Sequence, residues 1–396
     1  MNTFAAVIPV AGLSSRMGSF KPLIMLNGFP LIELAVQSAL DGGVSTVSVV
    51  TGYKAEEVMA ALSSQSPTSV VNGLDALDLS LEDTLLFTCN VEYDKSDMFS
   101  SIQLGLQALL THETLQALEA IYILPGDIPG VSPKTFVALQ EKWLEAKPAV
   151  LVPSYRGKRG HPLLVSHECF AAVLARSHAQ NGGLRKALTD FEWHELEVDD
   201  PGILLDADTP QALVELDAHM RRTRGVSEAV TKELFSLHRT PVNVQDHGSA
   251  VAQVALRMAR LLNPLGFGLD SELCHSGGLL HDLNRVEPNH SHVASTCLRE
   301  LGYEALSQVI GAHDRELSLH PTPFTEANIV FIADKLVKDT TLISIEERYL
   351  GALKKFPPDT KVGMVIQKDS RNALALLERY VKLTGDSALL QGARRT

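Results

Sequence analysis

The sequence predicts an α/β domain with a mostly parallel sheet, followed by an all-α domain. The 396 residues are enough for two or three domains of the usual ~100–200 residues. Residues 1–220 hold 13 Lys and Arg against 27 Asp and Glu, whereas residues 221–396 hold 22 against 20. Eight of the 14 histidines lie between residues 238 and 320. Charge and histidine content therefore divide the chain into two units.

Short apolar runs alternate with helical patterns in the first half of the chain. Five runs are predicted as buried strands, at residues 5–10, 46–51, 85–88, 120–124 and 149–153. Apolar residues spaced three or four apart predict helices at residues 31–40, 55–62, 101–110 and 133–145. This alternation indicates a parallel sheet with helices on both faces, whose ligands bind beyond the carboxyl ends of the strands.

The second half has little strand pattern and reads as consecutive helices. These are predicted at residues 249–262, 271–283, 292–301, 304–313, 328–337 and 372–383. The polar stretch 221–227 interrupts the apolar periodicity, so we expect one domain over residues 1–220 and another over residues 226–396. Residues after about 345 are assigned to packing on the helical core or to a dimer contact, so an oligomer is compatible with the sequence.

Composition narrows the class of partner. The net charge of −12 argues against nucleic acid or an anionic membrane as a partner, because both require a basic surface. The four cysteines form no C-x-x-C pair, and no apolar stretch reaches the ~18 residues of a membrane helix. We therefore expect a cytoplasmic protein that binds small molecules.

A glycine-containing loop follows the first predicted strand. Glycine lets the backbone approach a ligand, backbone N–H groups bind phosphate, and basic side chains neutralise it. The spacing fits neither G-x-G-x-x-G nor G-x-x-x-x-G-K-[ST]. The loop is therefore a candidate triphosphate site, with a solvated strand-to-helix turn as the alternative. Its candidate residues are Ala11, Gly12, Ser14, Arg16, Gly18 and Lys21.

Carboxylates follow two later apolar runs. Asp127 comes directly after the fourth predicted strand, and Asp206 and Asp208 precede a helical pattern. Carboxylates at such positions can hold Mg²⁺ while it bridges phosphates, although each alone is also typical of turns and helix caps. The basic loop together with both acidic segments favours the magnesium interpretation.

Five ordered motifs in residues 3–216 resemble molybdopterin nucleotidyltransferases, particularly the cytidylyltransferase branch. They are V-A-G-L-S-S-R-M-G-S-F-K at residues 10–21, C-N at 89–90 with M-F-S-S-I at 98–102, G-D-I-P at 126–129, R-G-H-P at 159–162 and D-A-D-T-P at 206–210. The resemblance implies a Rossmann-like nucleotidyltransferase that moves a nucleotidyl group from an NTP to the terminal phosphate of a molybdopterin-type acceptor. Ala11 favours CTP, whereas Asp97 replaces the family's usual glycine.

The resemblance also implies roles for individual residues. Arg16, Lys21 and Asp127 are the expected catalytic residues, and Asp127, Asp206 and Asp208 the expected Mg²⁺ ligands. Further substrate contacts are expected from Asn90, Ser101, Gly160 and His161, with a turn histidine as the equal alternative for the last. A sugar or alcohol phosphate remains an alternative acceptor.

Histidines and aspartates in the second half form a second candidate site. His247 opens one predicted helix, the adjacent pair His281 and Asp282 ends another, and Asp334 lies in a third. Together they offer a mixed nitrogen and oxygen shell for a divalent metal. Any single histidine is more often an ordinary core or surface residue, but four candidates in this order favour ligation.

The order H…H-D…D over residues 232–340 resembles the HD superfamily of metal-dependent phosphohydrolases. The resemblance implies an all-α HD domain whose ligands are His247, His281, Asp282 and Asp334, with His292 and His313 where binuclear members add histidines. The metal would be a divalent transition ion such as Mn, Fe, Co, Ni or Zn. Arg285 is expected to neutralise a substrate phosphate, or to be a solvated helix-end arginine. A non-catalytic nucleotide sensor is the alternative for this half.

Overall fold

The computed structural model describes residues 3–12, 20–63, 71, 84–95, 97–112, 115, 118–176, 183–312 and 324–391. The chain divides into two compact units. The first comprises residues 1–66, 80–219 and 266–268, and the second comprises residues 67–79, 220–265 and 269–396. Among the described residues, no helix combines the length and hydropathy that a membrane crossing needs.

The first unit is built on a mostly parallel eight-stranded sheet. Its strands are β1 (Thr3–Pro9), β4 (Thr46–Thr51), β5 (Leu85–Cys89), β6 (Leu118–Ile123), β7 (Val150–Tyr155), β8 (Lys158–Arg159), β9 (Leu163–Ser166) and β10 (Trp193–Glu197), and a separate hairpin pairs β2 (Met25–Leu26) with β3 (Phe29–Pro30). The strand order is β10-β7-β9-β6-β1-β4-β5, and the short β8 adds beside β7. Strand β9 runs antiparallel to both of its neighbours, and neither β9 nor β10 is among the predicted strands.

Helices cover both faces of this sheet, as the alternating pattern predicts. Ile8 and Val49 pack with Phe136 and Trp143 in one apolar cluster, whereas Val7 and Val50 pack with the helix of Ile102 and Leu106 in another. Alternate residues of one strand therefore supply opposite cores. The helices are α1 (Leu31–Asp41), α2 (Ala55–Ser63), α3 (Met98–Thr111), α4 (Pro133–Ala146), α5 (Phe170–Ala175), α6 (Gly183–Ala187) and α7 (Pro210–Thr223).

The second unit is helical, with one short hairpin. Its helices are α8 (Glu228–His238), α9 (Val242–Leu262), α10 (Ser271–Leu280), α11 (His290–Glu300), α12 (Glu304–Ala312), α13 (Glu326–Leu336), α14 (Ile345–Lys355), α15 (Lys361–Thr384) and α16 (Ala388–Gln391), and the hairpin pairs β11 (Val337–Lys338) with β12 (Thr341–Leu342). Helices α9, α10 and α13 pack together and carry the second candidate site.

Two helix boundaries differ from the prediction in ways that matter for that site. Helix α9 begins at Val242 and not at residue 249, because Pro241 precedes the first turn in an extended conformation suited to a helix start. His247 therefore lies inside the helix. Helix α10 ends at Leu280, so His281 and Asp282 lie just beyond its last turn.

Candidate active sites

The first candidate site lies where β1 and β6 end. These strands are adjacent and parallel, so the segments that follow them leave the sheet at the same edge. Gly126 allows them to approach closely, because an added Cβ there would lie 2.2 Å from Val10 Cγ1. A pocket of about 210 Å³ opens at this edge, lined by residues that include Ala11, Gly12, Lys21, Asn90, Tyr93, Ser101 and Asp127.

Lys21 joins the two acidic segments of this site. Its Nζ lies 3.1 Å from Asp127 Oδ2, and it also forms an ion pair with Asp208. The backbone N–H of Ala207 donates to the carbonyl of Asp127 over 2.9 Å, so main chain and side chains connect the segments. Burial alone would lower the pKa of Lys21, but the bonds and charges of Asp208 and Asp127 raise it overall. Lys21 is therefore a cation that bridges two carboxylates.

Asp206 completes a group of three carboxylates. Partial desolvation raises its pKa, and the charges of Asp208 and Asp127 raise it further. Mutual repulsion among oxygen ligands is what a hard divalent cation relieves, so these residues fit Mg²⁺.

Asn90 and Ser101 line the pocket but also bond to each other. The amide nitrogen of Asn90 donates to the hydroxyls of Ser100 and Ser101, both over 3.1 Å, and its oxygen accepts from the backbone of Glu92. Asn90 is buried. The pair therefore holds the loop between β5 and α3 in place.

Asp97, which replaces the family's glycine, caps helix α3. Its carboxylate accepts the backbone N–H of Ser100 over 3.2 Å, an N-cap bond of the kind that aspartate makes well. Its charge faces the helix start as well as the pocket it lines.

Gly160 and His161 lie beside the segment that leads to Asp206. An added Cβ at Gly160 would lie 2.4 Å from the carbonyl oxygen of Ile203, and the backbone N–H of His161 donates to that same oxygen over 3.0 Å. Burial lowers the pKa of His161, against smaller opposing effects of the Ile123 carbonyl and the Asp127 charge. The imidazole is therefore neutral at pH 7, as suits a residue that shapes a pocket.

The second candidate site gathers residues from helices α9 and α13 and from the segment that directly follows α10. The Nε2 of His247 on α9 lies 3.2 Å from Oδ1 of Asp334 on α13, and the Nε2 of His281 lies 3.6 Å from the same oxygen and from Oδ2 of Asp282. One ligand atom each of His247, His281 and Asp282 lie within 4.8 Å of one another. Gly278 permits this convergence, because a Cβ there would lie 2.6 Å from Cα of Ala252 on α9.

Both histidines are oriented by backbone carbonyls. Nδ1 of His281 lies 2.8 Å from the carbonyl of Gly278, and Nδ1 of His247 lies 3.0 Å from that of Asp339. A carbonyl only accepts, so Nδ1 carries the proton and Nε2 faces the carboxylates. Metal-ligating histidines are held by this kind of outer bond.

A cation is needed between Nε2 of His247 and Oδ1 of Asp334. Two acceptors 3.2 Å apart repel each other unless a proton or a metal ion lies between them. Burial alone would lower the pKa of His281, but the hydrogen bond and charge of Asp334 and the charge of Asp282 raise it overall. The donor set therefore fits a divalent transition metal.

Two known domain families match the chain, one in each half. The MobA-like NTP transferase domain family matches residues 6–197, and the HD domain family matches residues 244–339. The chain joins a MobA-like NTP transferase domain to an HD domain.

Individual relatives match the transferase domain. The molybdenum cofactor cytidylyltransferase of Escherichia coli is 25% identical over 214 residues, which are 54% of this chain and 95% of that protein. An uncharacterized protein of Methanocaldococcus jannaschii is 34% identical over 152 residues, covering 33% of this chain and 90% of its own. The crystal structure of Rv0371c from Mycobacterium tuberculosis is 23% identical, covers 54% of this chain and 97% of its own, and has a TM-score of 0.42.

The histidine that lies next to Asp282 is His290, whereas the sequence pattern pointed to His292. Nε2 of His290 lies 3.0 Å from Oδ1 of Asp282, whereas His292 is exposed. Helix α11 begins at His290, so its first residue faces Asp282 and the residue two positions later turns away. Arg285 lies 3.4 Å from Asp282 with about half of its side chain exposed, and its role toward a substrate phosphate stays a prediction.

Four expected site residues cannot be placed. Ser14, Arg16, Gly18 and His313 lie outside the described residues. Sequence reasoning also missed Lys335 and Arg348, which both contact Asp334. The signal for Lys335 was its position next to Asp334, whereas nothing in the sequence ties Arg348 to a ligand 14 positions away.

Proposed function

We propose that the transferase domain moves a nucleotidyl group, favouring CMP from CTP, to the terminal phosphate of a molybdopterin-type acceptor. The observation that carries the proposal is the junction of Lys21, Asp127 and Asp208 at the carboxyl edge of the sheet. Similarity to the Escherichia coli cytidylyltransferase and the five ordered motifs support this acceptor and nucleotide.

The reaction needs positioning and charge neutralisation more than acid–base chemistry. An oxygen of the acceptor phosphate, already ionised at neutral pH, forms a bond to the α-phosphorus of the NTP. The bond from that phosphorus to its β-bridging oxygen breaks, and pyrophosphate leaves with its electron pair. Lys21 donates to the triphosphate, together with Arg16 of the same loop. Neutral His161 and Gly160 shape the acceptor side.

Asp127, Asp206 and Asp208 are the residues that would hold Mg²⁺. The bound ion would supply charge neutralisation across the transferring phosphates. With Mg²⁺ bound, these carboxylates would no longer need the Lys21 ammonium, which would then be available to the triphosphate.

A panel of nucleotides and acceptors tests this proposal. We expect pyrophosphate release from CTP with molybdopterin to exceed that from GTP or ATP, and none of the three to react without acceptor. If pyrophosphate is released with a sugar or alcohol phosphate and not with molybdopterin, the reaction type stands but the proposed acceptor is wrong. No release with any pair would contradict the proposal.

We further propose that the HD domain is a metal-dependent phosphohydrolase. His247, His281, Asp282 and Asp334 would hold a divalent ion such as Mn, Fe, Co, Ni or Zn, with His290 as the additional histidine at Asp282. The bound ion would activate water and polarise a phosphoryl oxygen. The paired orientation of both imidazoles by backbone carbonyls supports this role.

Metal analysis of the full-length chain tests the ligand set. Wild type is expected to bind one more equivalent of transition metal than Asp282→Asn, and to hydrolyse phosphate esters only when that metal is present. Equal metal content in both proteins would contradict it. The HD domain would instead be a nucleotide sensor if it binds the metal, hydrolyses no phosphate ester, and changes the transferase rate when a nucleotide binds to it.

A further inference from the structure

Two cationic side chains converge on Asp334 in the HD domain. Lys335 Nζ lies 2.6 Å from Asp334 Oδ2, and a terminal guanidinium nitrogen of Arg348 lies 3.3 Å from Oδ1. The carboxylate is almost fully buried, with 4% of its side chain exposed. Lys335 follows Asp334 on α13, whereas Arg348 belongs to α14. The fold therefore brings a second cation to this carboxylate from a different helix.

Both cations are held by further contacts. The other terminal nitrogen of Arg348 donates to the carbonyl of Val337 over 3.0 Å. Lys335 Nζ lies 5.3 Å from the centroid of the Phe331 ring, within range of a cation–π contact. Ser344 caps the start of α14 by accepting from the backbone of Glu347, which fixes the turn that carries Arg348. The cationic groups are thus positioned before any ligand arrives.

The charges of the cluster do not balance once a metal is added. Among the described side chains in contact with Asp282 and Asp334, three are basic, Lys335, Arg348 and Arg285, against these two carboxylates. A divalent ion adds two further positive charges. Such a site is completed by a ligand with at least two negative charges, because a single charge leaves most of the excess uncompensated.

We propose that Lys335 and Arg348 bind a phosphate group of the HD domain's ligand, and that this ligand is a phosphate monoester or a pyrophosphate-type anion. The inference rests on the proposed metal site of this domain. A lysine has three N–H donors and an arginine five, more than the contacts above use. The planar guanidinium also matches two phosphate oxygens at once. A phosphodiester, with one negative charge, fits the site less well.

Binding of two simple probes to full-length chain loaded with Mn²⁺ tests this. Methyl phosphate represents monoesters and dimethyl phosphate represents diesters, and titration calorimetry in an Asp127→Asn background removes an expected metal ligand of the transferase site. We expect methyl phosphate to bind about tenfold more tightly than dimethyl phosphate. Arg348→Ala and Lys335→Ala are each expected to weaken methyl phosphate binding about tenfold, and Arg348→Lys to weaken it less. The exposed Lys338→Ala serves as the matched control, without effect.

Electron paramagnetic resonance without phosphate measures the Mn²⁺ affinity separately. It distinguishes phosphate binding by Lys335 and Arg348 from a role in which they only hold Asp334 in place. If the two cations bind phosphate, Arg348→Ala keeps or gains Mn²⁺ affinity, since it removes a competing cation from Asp334. Joint loss of Mn²⁺ and phosphate would show that Arg348 only holds Asp334 in place, and would overturn the inference. Unchanged methyl phosphate affinity in both alanine variants would also overturn it while leaving the metal site intact. An Asp282→Asn protein that keeps all its Mn²⁺ would contradict the metal site and the inference together.

Discussion

Lys21→Met is expected to make metal binding by the transferase domain tighter when no nucleotide is present. The ammonium of Lys21 lies between Asp127 and Asp208, where it neutralises carboxylates that would hold Mg²⁺. Methionine keeps the length and apolar stem of the side chain and removes only the charge. The variant therefore removes a competitor of the metal.

The size of the effect follows from the contact. At an effective dielectric constant of ~20, two unit charges 3.1 Å apart interact by about 5 kcal/mol. Asp127 keeps 31% of its side chain exposed, so solvent screens much of that value, and the cost of desolvating the lysine offsets more. We take about 1–2 kcal/mol as the net competition, which corresponds to roughly 5–30-fold in metal affinity.

Manganese titration followed by electron paramagnetic resonance measures this effect. An Asp282→Asn background removes the expected HD metal, and Lys54→Met, which breaks an exposed ion pair with Glu57, controls for loss of a lysine. We expect Lys21→Met to bind Mn²⁺ more tightly than wild type without nucleotide, and to bind CTP more weakly. Equal or weaker Mn²⁺ affinity in Lys21→Met would refute the idea that this lysine competes with the metal.

Two further predictions concern packing and the C-terminal region. Gly160→Ala is expected to lower the free energy of unfolding by about 1–3 kcal/mol, because its Cβ would meet the carbonyl of Ile203. Chemical denaturation measures this, and an unchanged free energy would mean that the segments of Gly160 and Ile203 can separate without cost. Asp386→Asn is expected to cost about 3 kcal/mol at pH 7, because it leaves Arg257 buried without the carboxylate it binds through two 2.8 Å contacts. Burial alone would raise the pKa of Asp386, but Arg257 and Tyr380 lower it overall, so its contribution is present above the ordinary carboxyl pKa of ~3.9 and lost as pH falls through the lowered value. Denaturation curves of the two proteins should therefore converge below about pH 4, and a constant difference down to pH 2 would contradict the role of this carboxylate.

The fold class was predictable because the chain marks its strands and helices locally. The alternating pattern of the first half gave β1, β4, β5, β6 and β7, and with them the edge where Asp127 and Lys21 meet. Strand β9 was missed because its four residues are too short for a pattern to distinguish them from a loop.

The expected HD ligands follow a sequence pattern, but the residues that contact them depend on where the helices begin and end. His290 and His292 are two residues apart, which on a helix separates their directions by about 200°. Only the position of the first turn of α11 decides which one faces Asp282. The contact of Arg348 with Asp334 is similarly set by how α14 follows the β11–β12 hairpin, which sequence periodicity does not encode.

Pyrophosphate release by Asp127→Asn tests the central claim most directly. The full-length variant would be assayed with CTP, Mg²⁺ and molybdopterin beside wild type and the exposed control Asp190→Asn. We predict that Asp127→Asn loses at least about a hundredfold in rate while its unfolding midpoint stays close to that of the control, because a carboxylate that holds the metal acts on the transition state. Wild-type rates of pyrophosphate release in Asp127→Asn would contradict the assignment of this edge of the sheet as the transferase active site.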